Sequence, residues 1–128
     1  MDKSQNVETI AVRLTAATGK YTFTDNQNMV GRKVKAIETH LLANVAKSPN
    51  GETVCNANAQ KCAFLTLQIG GMERIKDIPL NSMVLANRNG NLFEIDPSVI
   101  TLPKSYVSFS DVSAIVTGEV LLITFYFD

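Results

Sequence analysis

Histidine, cysteine and tryptophan are scarce in this chain, which has one histidine, two cysteines and no tryptophan. A structural zinc site usually needs four Cys or His ligands, and His40 with Cys55 and Cys62 falls short of that number. Nucleophilic catalysis usually pairs a hydroxyl or thiol with a histidine base, and no motif places such a partner beside His40. We therefore expect no catalytic residue, no metal site and no cofactor.

The aromatic content and the net charge of the chain are also low. Aromatic residues make up 7% of the chain, so a platform on which sugars could stack is not evident. Lys+Arg and Asp+Glu number 12 each, which gives a formal net charge of +0. Because non-specific nucleic-acid binding relies on positive charge, nucleic acid is not a favoured partner. A neutral, sparsely charged surface instead suits a subunit that packs against neighbours.

No hydrophobic run is long enough to cross a membrane as a helix. The longest run, residues 120–127, is far shorter than the about 20 residues that such a helix needs. The chain begins with polar residues and lacks the apolar stretch of a signal peptide. We therefore predict no membrane span, a polar N-terminal arm over residues 1–8, and synthesis in the cytoplasm.

The two cysteines bracket a polar segment, residues 56–61. A disulfide between Cys55 and Cys62 would close a small loop, whereas a metal site would need further ligands. Reducing conditions in the cytosol favour free thiols. The sequence alone leaves the pairing open.

Alternation of apolar and polar residues predicts short strands through most of the chain. The clearest predicted strands cover residues 9–14, 21–24, 62–69, 106–109 and 119–127. The last of them is apolar on both faces, which predicts a central strand or a second face that meets another subunit. Residues 31–42 fit both a helical and a strand pattern, and the strands around them favour a strand.

The segments between these strands are less regular. Residues 72–77 are strongly charged and are predicted to form a loop or a short irregular edge, followed by an extended piece over 78–85. Asn89-Gly90 predicts a hairpin turn, whose returning strand over 92–95 stops at Asp96-Pro97. A short strand is predicted over 99–102.

The strands predicted in this way number eight or nine, with turn residues between them, which is typical of a β-sandwich or barrel. No linker or internal repeat divides the chain. We therefore predict a single sandwich domain over residues 9–128.

A small basic patch is formed by Arg32, Lys33 and Lys35, with Tyr21 and Phe23 close in sequence. Aromatic and cationic residues together can bind single strands. The alternative function is therefore a small β-barrel binding module for carbohydrate or single-stranded nucleic acid. A solvated strand face explains the same basic residues, and the balanced charge of the chain favours that explanation.

The last third of the chain resembles a group of viral proteins. The segments LPKSYVSF at 102–109 and GEVLLITFYF at 118–127 resemble the closing strands of small single-jelly-roll minor capsid and vertex (penton) proteins of tailless icosahedral bacteriophages. This resemblance implies an all-β fold, a single jelly-roll-like β-sandwich of about eight strands. It also implies a structural virion protein that is not an enzyme.

The resemblance further implies partners, namely copies of the chain itself in a cyclic homo-oligomer and other capsid proteins, which the N-terminal arm would reach. Apolar residues in a predicted loop are then candidate assembly contacts: Val112, Ala114, Ile115 and Val116. The alternative is that these side chains pack on the core of their own subunit, since apolar residues near the surface are common.

Overall fold

The computed structural model describes residues 7–15, 18–24, 26–40, 47, 51, 53–54 and 60–128, and these contain eight strands. The strands are β1 (Val7–Arg13), β2 (Lys20–Thr22), β3 (Lys33–Thr39), β4 (Ala63–Ile69), β5 (Met72–Pro79), β6 (Phe93–Val99), β7 (Tyr106–Phe109) and β8 (Val120–Phe127). Short 3₁₀ helices lie at Leu80–Met83, Leu85–Arg88, Leu102–Lys104 and Val112–Ala114. Within the described residues, no helix has the length and apolar character needed to span a membrane.

The strands form two four-stranded antiparallel sheets. Sheet A has the order β1-β8-β3-β6, and sheet B has the order β2-β7-β4-β5. Each strand in the first half of the chain pairs with one in the second half: β1 with β8, β2 with β7, β3 with β6, and β4 with β5. This long ribbon of paired strands rolls up because β3 also pairs with β8, and β4 with β7. The result is a double-sheet jelly roll, which confirms the predicted sandwich.

The core lies between the two sheets, where alternate residues of each strand point inward. In β4, Ala63, Leu65 and Leu67 are fully buried, and Ile37 of β3 is buried with them. Burying one such aliphatic side chain contributes roughly 1.5–3 kcal/mol relative to leaving it exposed. The predicted strand over 62–69 is thereby confirmed together with its inward face.

The closing strand β8 is covered on both faces. Its inward residues Phe125 and Phe127 belong to the main core. On its outer face, Val120 and Leu122 pack with Val54 in a second cluster. β8 also lies between β1 and β3 in sheet A, so the prediction of a central strand is confirmed.

The ambiguous segment 31–42 contains a strand, because Lys33–Thr39 is β3. The predicted strands over 9–14, 21–24 and 106–109 correspond to β1, β2 and β7. β1 begins at Val7, so the last two residues of the predicted arm belong to the sheet.

The charged residues 72–77 belong to an irregular edge strand, which is the second of the two alternatives predicted for them, and not to a loop. β5 extends from Met72 to Pro79 at one edge of sheet B. Charged side chains suit this position because an edge strand faces water along its free side, where charge discourages pairing with other chains. Asp77 has a φ of 53° and lies within an irregular register with β4, which disrupts the alternation that would have identified the strand.

The connection from β5 to β6 also differs from the prediction. Of the piece expected to be extended, residues 78–85, the first two complete β5. The rest include the 3₁₀ helix Leu80–Met83 and the start of the 3₁₀ helix Leu85–Arg88. The Asn89-Gly90 turn is present, with φ of 55° and 82°. It does not close a hairpin, however, because β5 and β6 belong to different sheets.

The predicted strand boundaries around residues 95–102 are wrong. β6 continues through Asp96 and Pro97 to Val99. Proline is tolerated there because β6 is an edge strand of sheet A. The next residues include the 3₁₀ helix Leu102–Lys104 in place of the predicted short strand.

The connections on either side of β7 lie at opposite ends of the sandwich. Before β7, the Ser105 carbonyl accepts a 3.1 Å hydrogen bond from the Phe23 amide, which joins this connection to the one after β2. After β7, the Gly118 amide donates a 3.0 Å hydrogen bond to the carbonyl of Leu14, the residue that follows β1. The two connections are therefore separated by the length of β7.

Candidate assembly surfaces

The candidate assembly contacts lie in the connection between β7 and β8, residues 110–119, here called the valine loop. Val112 and Val116 are 40% and 49% exposed, and Ala114 is half-buried. Ile115 is only 5% exposed and belongs to the core. Its assignment as a contact is therefore corrected, because its side chain anchors the loop and offers no surface to a partner.

The valine loop is held in shape by its own polar residues. The Asp111 carboxylate accepts hydrogen bonds from the Ser113 amide at 3.0 Å and from the Ser113 hydroxyl at 2.6 Å. These bonds hold the pKa of Asp111 below its ordinary value of 3.8, so the carboxylate stays ionised at neutral pH. With Glu119, the loop carries two acids and no basic residue.

A groove of about 370 Å³ opens at the other end of the sandwich. Its two walls come from the connection after β2 and the connection before β7, residues 26–31 and 99–103. Val30 is 68% exposed and Val99 is 43% exposed, while Met29 and Leu102 are buried beneath them. Ligand sites typically measure about 300–1,000 Å³ and have mostly apolar walls, so the groove can accept a few apolar side chains.

The predicted basic patch borders this groove. The Arg32 guanidinium lies 4.2 Å from the centre of the Phe127 ring, and Lys33 and Lys35 are exposed on β3. The structure thus brings Arg32 and Lys33 next to the groove, whereas Lys35 lies further along the strand. On the other wall, Lys104 is exposed at the end of a 3₁₀ helix.

The aromatic residues named in the alternative function do not form a stacking surface with that patch. Phe23 is 5% exposed and packs edge-to-face with Phe125. Tyr21 is half-buried, and its hydroxyl donates a 2.6 Å hydrogen bond to the Thr15 carbonyl. All nine aromatic residues lie in the described ranges, and each is at least half-buried.

His40 takes part in a polar network on the outer face of sheet A. Its Nε2 lies 2.8 Å from the Thr124 hydroxyl, which is itself 2.8 Å from the Thr9 hydroxyl. Its Nδ1 lies 3.7 Å from the Glu38 carboxylate, and that carboxylate accepts a 2.6 Å bond from Tyr126. The network therefore crosses β1, β8 and β3 and links the strands of the sheet side by side.

The remaining candidates for chemistry are few. The described residues contain no group of three or more His, Cys, Asp or Glu side chains that could hold a metal ion. Cys62 is half-buried. Cys55 lies outside the described residues, and the prediction about their pairing remains a prediction.

Sequence reasoning found the valine loop and the basic patch but missed the groove. Its two walls are about seventy residues apart in the chain and meet because β2 pairs with β7 and β3 pairs with β6. The sequence signal was limited to two short apolar clusters, at residues 29–30 and 99–102, and the second of them was predicted as a strand. Comparison with protein-family models, with curated protein sequences and with solved structures finds no match for this chain.

Proposed function

We propose that the chain is a structural virion protein, a minor capsid or vertex subunit that assembles with copies of itself and with other capsid proteins. The observation that carries this proposal is the strand order of the two sheets. Double-sheet jelly rolls are used as building blocks of viral capsids, although lectins and cupins also use them. Because a fold alone does not determine a function, the surfaces must supply the remaining argument.

Two features of the surface support a role in assembly. Val112 and Val116 are exposed apolar residues at one end of the sandwich, and Val30 and Val99 line the groove at the opposite end. Exposed apolar surface beside polar surroundings often marks a contact with another protein. The balanced charge of the chain also leaves little net repulsion between copies.

The edges of the sheets support the same role. β1 has alternating half-buried and exposed residues and carries no charge between Glu8 and Arg13. Unprotected edge strands tend to pair with or pack against other chains unless they are covered. A subunit inside a shell has such cover, whereas an isolated secreted or cytosolic protein needs other protection.

The first test of the proposal is the state of assembly. We expect the molar mass from light scattering to rise from that of one chain to a discrete multiple between micromolar and millimolar concentration. Mass spectrometry of virus-like particles from cells that carry the gene should detect the chain in the particle fraction. A strict monomer that is also absent from particles would overturn the proposal.

The alternative, a binding module, is tested on the same sample. Titration with single-stranded oligonucleotides and a panel of glycans should show no saturable binding if the chain is a shell component. Saturable binding that is lost in Lys33→Glu would favour the module instead. Arg32, Lys33 and Lys35 lie on one segment, so a nucleic-acid site would depend on them.

A further inference from the structure

Four strands form the edges of the two sheets, and three of them are protected against pairing with another chain. β2 has only three residues. β5 bears several charged side chains and has an irregular register with β4. β6 contains Pro97, and its register with β3 is also shifted. Short length, charge, proline and irregular geometry are the usual means by which proteins prevent pairing at a sheet edge.

β1 is the one edge among the described strands that has none of these protections. Its register with β8 runs from Val7 to Arg13 without a shift. It contains no proline, and its residues 9–12 are uncharged. Thr9 and Ala11 are exposed, so nothing in the described chain covers the middle of this strand. β1 is therefore a regular, uncharged and open edge.

The backbone groups of β1 alternate between β8 and the free edge. The amide of Leu14, the residue that follows β1, donates a 2.9 Å hydrogen bond to the Glu119 carbonyl in the register that continues along the strand. In an antiparallel pair, every second residue directs both its amide and its carbonyl to the same neighbour. Counting back from Leu14, the even-numbered residues of β1 bond to β8, whereas the amides and carbonyls of Thr9 and Ala11 point to the open side.

The side chains beside this edge also suit a second copy of the strand. Ile10 and Val12 are half-buried, pack on the core and line a groove of about 370 Å³ between β1 and β2. Arg13 and Lys20 border that groove at one end of β1, and Glu8 lies towards the other end. Because antiparallel pairing reverses the direction of one strand, the basic end of one copy meets the acidic end of the other.

From the free backbone groups of this unprotected edge, we infer that β1 of one copy pairs with β1 of a second copy, antiparallel and about a two-fold axis at Ile10. The inference rests on the proposed role as an assembling subunit and names the strand through which two copies meet. An axis at Ile10 pairs the strand along its whole length, so Thr9 of each copy bonds to Ala11 of the other. Both copies satisfy their free amides and carbonyls in the same contact.

The consequence is one continuous sheet that runs through both copies. Sheet A of one copy joins sheet A of the other, and the two Ile10 side chains lie opposite each other across the axis. A two-fold contact of this kind uses the same patch on both subunits and closes on itself. The pair therefore has no free β1 edge left.

The inference is tested first by altering the edge at Ala11. Ala11→Pro removes the amide that faces the open side and leaves the bonds to β8 in place, and Ala11→Lys places a charge on the edge. We expect each variant to need about tenfold or more protein than the wild type for half-maximal dimer formation, measured by light scattering. Circular dichroism and urea unfolding show whether the variants keep the fold, and Ala11→Lys carries the test if Ala11→Pro does not.

Met72→Lys is the matched control for Ala11→Lys. It adds the same charge to another edge strand, β5, at a side chain that is 60% exposed. Its dimer formation should equal that of the wild type. An equal loss in Met72→Lys and Ala11→Lys would mean that added charge weakens association in general, and the inference would be wrong.

Disulfide trapping tests which residues meet across the edge. In a Cys55→Ser, Cys62→Ala background, Thr9→Cys and Ala11→Cys chains are mixed and oxidised. Bonded residues of an antiparallel pair have Cα atoms about 5.5 Å apart, which is within reach of a disulfide. The mixture should therefore give a linked dimer, whereas each variant alone should not, because its two cysteines lie diagonally across the axis at about 7–8 Å.

The outcomes separate the inference from the proposed function. If the wild type forms oligomers, and either both Ala11 variants form them equally well or the mixture does not cross-link, the inference is wrong while the proposed role stands. Cross-linking of one cysteine variant alone would contradict the axis at Ile10. A wild type that stays monomeric at millimolar concentration overturns the inference, and its presence in or absence from particles then decides the proposed role.

Discussion

The Tyr126 hydroxyl donates a 2.6 Å hydrogen bond to the Glu38 carboxylate, which ties the outer face of β8 to β3. Burial of the phenol, together with the bond to Glu38 and its negative charge, raises the pKa of Tyr126 from 10.0 to about 12. The ionised phenolate is therefore less favourable in the folded protein than in the unfolded chain, where no carboxylate lies beside it.

This pKa shift predicts how stability depends on alkaline pH. The folded protein holds the Tyr126 proton more tightly than the unfolded chain does, so stability falls as pH rises through the window from 10.0 to about 12. Below that window the contribution is fully present. Urea unfolding at a series of pH values should show this loss in the wild type and a smaller loss in Tyr126→Phe.

Tyr106→Phe is the matched control for that experiment. The Tyr106 hydroxyl donates to Glu73 at 3.2 Å in a more exposed setting, so its removal should leave the alkaline loss of stability in place. At neutral pH, Tyr126→Phe should cost about 1 kcal/mol, the usual contribution of one hydrogen bond. Identical alkaline profiles for wild type and Tyr126→Phe would contradict the assigned bond.

Phe125 lies at the centre of the main core. Its side chain is fully buried, and its ring packs edge-to-face with Phe23, with the ring centres 6.4 Å apart. Phe125→Ala should lower the free energy of unfolding by about 3–5 kcal/mol, because it removes buried apolar surface and leaves a cavity. Thermal and urea unfolding would measure the loss.

The surface substitution Val30→Ala provides the control for Phe125→Ala. Val30 is 68% exposed, and substitutions at such positions usually change stability by less than about 0.5 kcal/mol. A loss at Phe125 no larger than the loss at Val30 would mean that the sheets do not pack face to face as described.

The sequence predicted the sandwich because its central strands follow a simple physical pattern. In β4, alternate residues point into the core and the others point outward, so Ala63, Leu65 and Leu67 give a clear period of two. β8 was recognisable for the opposite reason, since a strand covered on both faces is apolar along most of its length. These strands contact the core directly, and burial determines their composition.

The edge strands and their connections were harder to predict. β5 bears charges because its free edge faces water, and the φ of 53° at Asp77 breaks its alternation. The Asn89-Gly90 turn was found correctly, but local sequence does not determine which sheet the next strand joins. That choice depends on pairing with β3, more than fifty residues earlier in the chain.

The candidate surfaces also differ in whether the local sequence is enough to predict them. Val112 and Val116 could be found from the sequence because apolar residues in a predicted loop are conspicuous. The groove depends on long-range pairing, and the inward orientation of Ile115 depends on how the valine loop meets the core. Neither property is encoded within a short window of the sequence.

Thr66 stabilises the irregular part of β5 through one buried hydroxyl. Thr66 is fully buried, and its Oγ1 accepts a 3.1 Å hydrogen bond from the Asp77 amide. Thr66→Val keeps the shape of the side chain but leaves that amide without its partner, which should cost about 1–3 kcal/mol. Thr22→Val on the exposed edge strand β2 is the control and should be close to neutral; equal effects would contradict the anchoring role.

The polar network around His40 gives a last prediction. Thr124 is 5% exposed, and its hydroxyl lies 2.8 Å from both the Thr9 hydroxyl and His40 Nε2. Thr124→Val should lower the free energy of unfolding by about 1 kcal/mol, because both neighbours lose a hydrogen-bond partner. Urea unfolding at neutral pH would measure the loss.

A double-mutant cycle then tests whether the contact with His40 contributes to that loss. Residues in direct contact show non-additive effects of about 0.5–3 kcal/mol, whereas distant residues add independently. Thr124→Val combined with His40→Ala should therefore cost less than the sum of the two single substitutions. Thr124→Val combined with Thr22→Val, which alters a residue of the other sheet, should be additive. Additivity in the first pair would mean that the imidazole does not bond to Thr124 in solution.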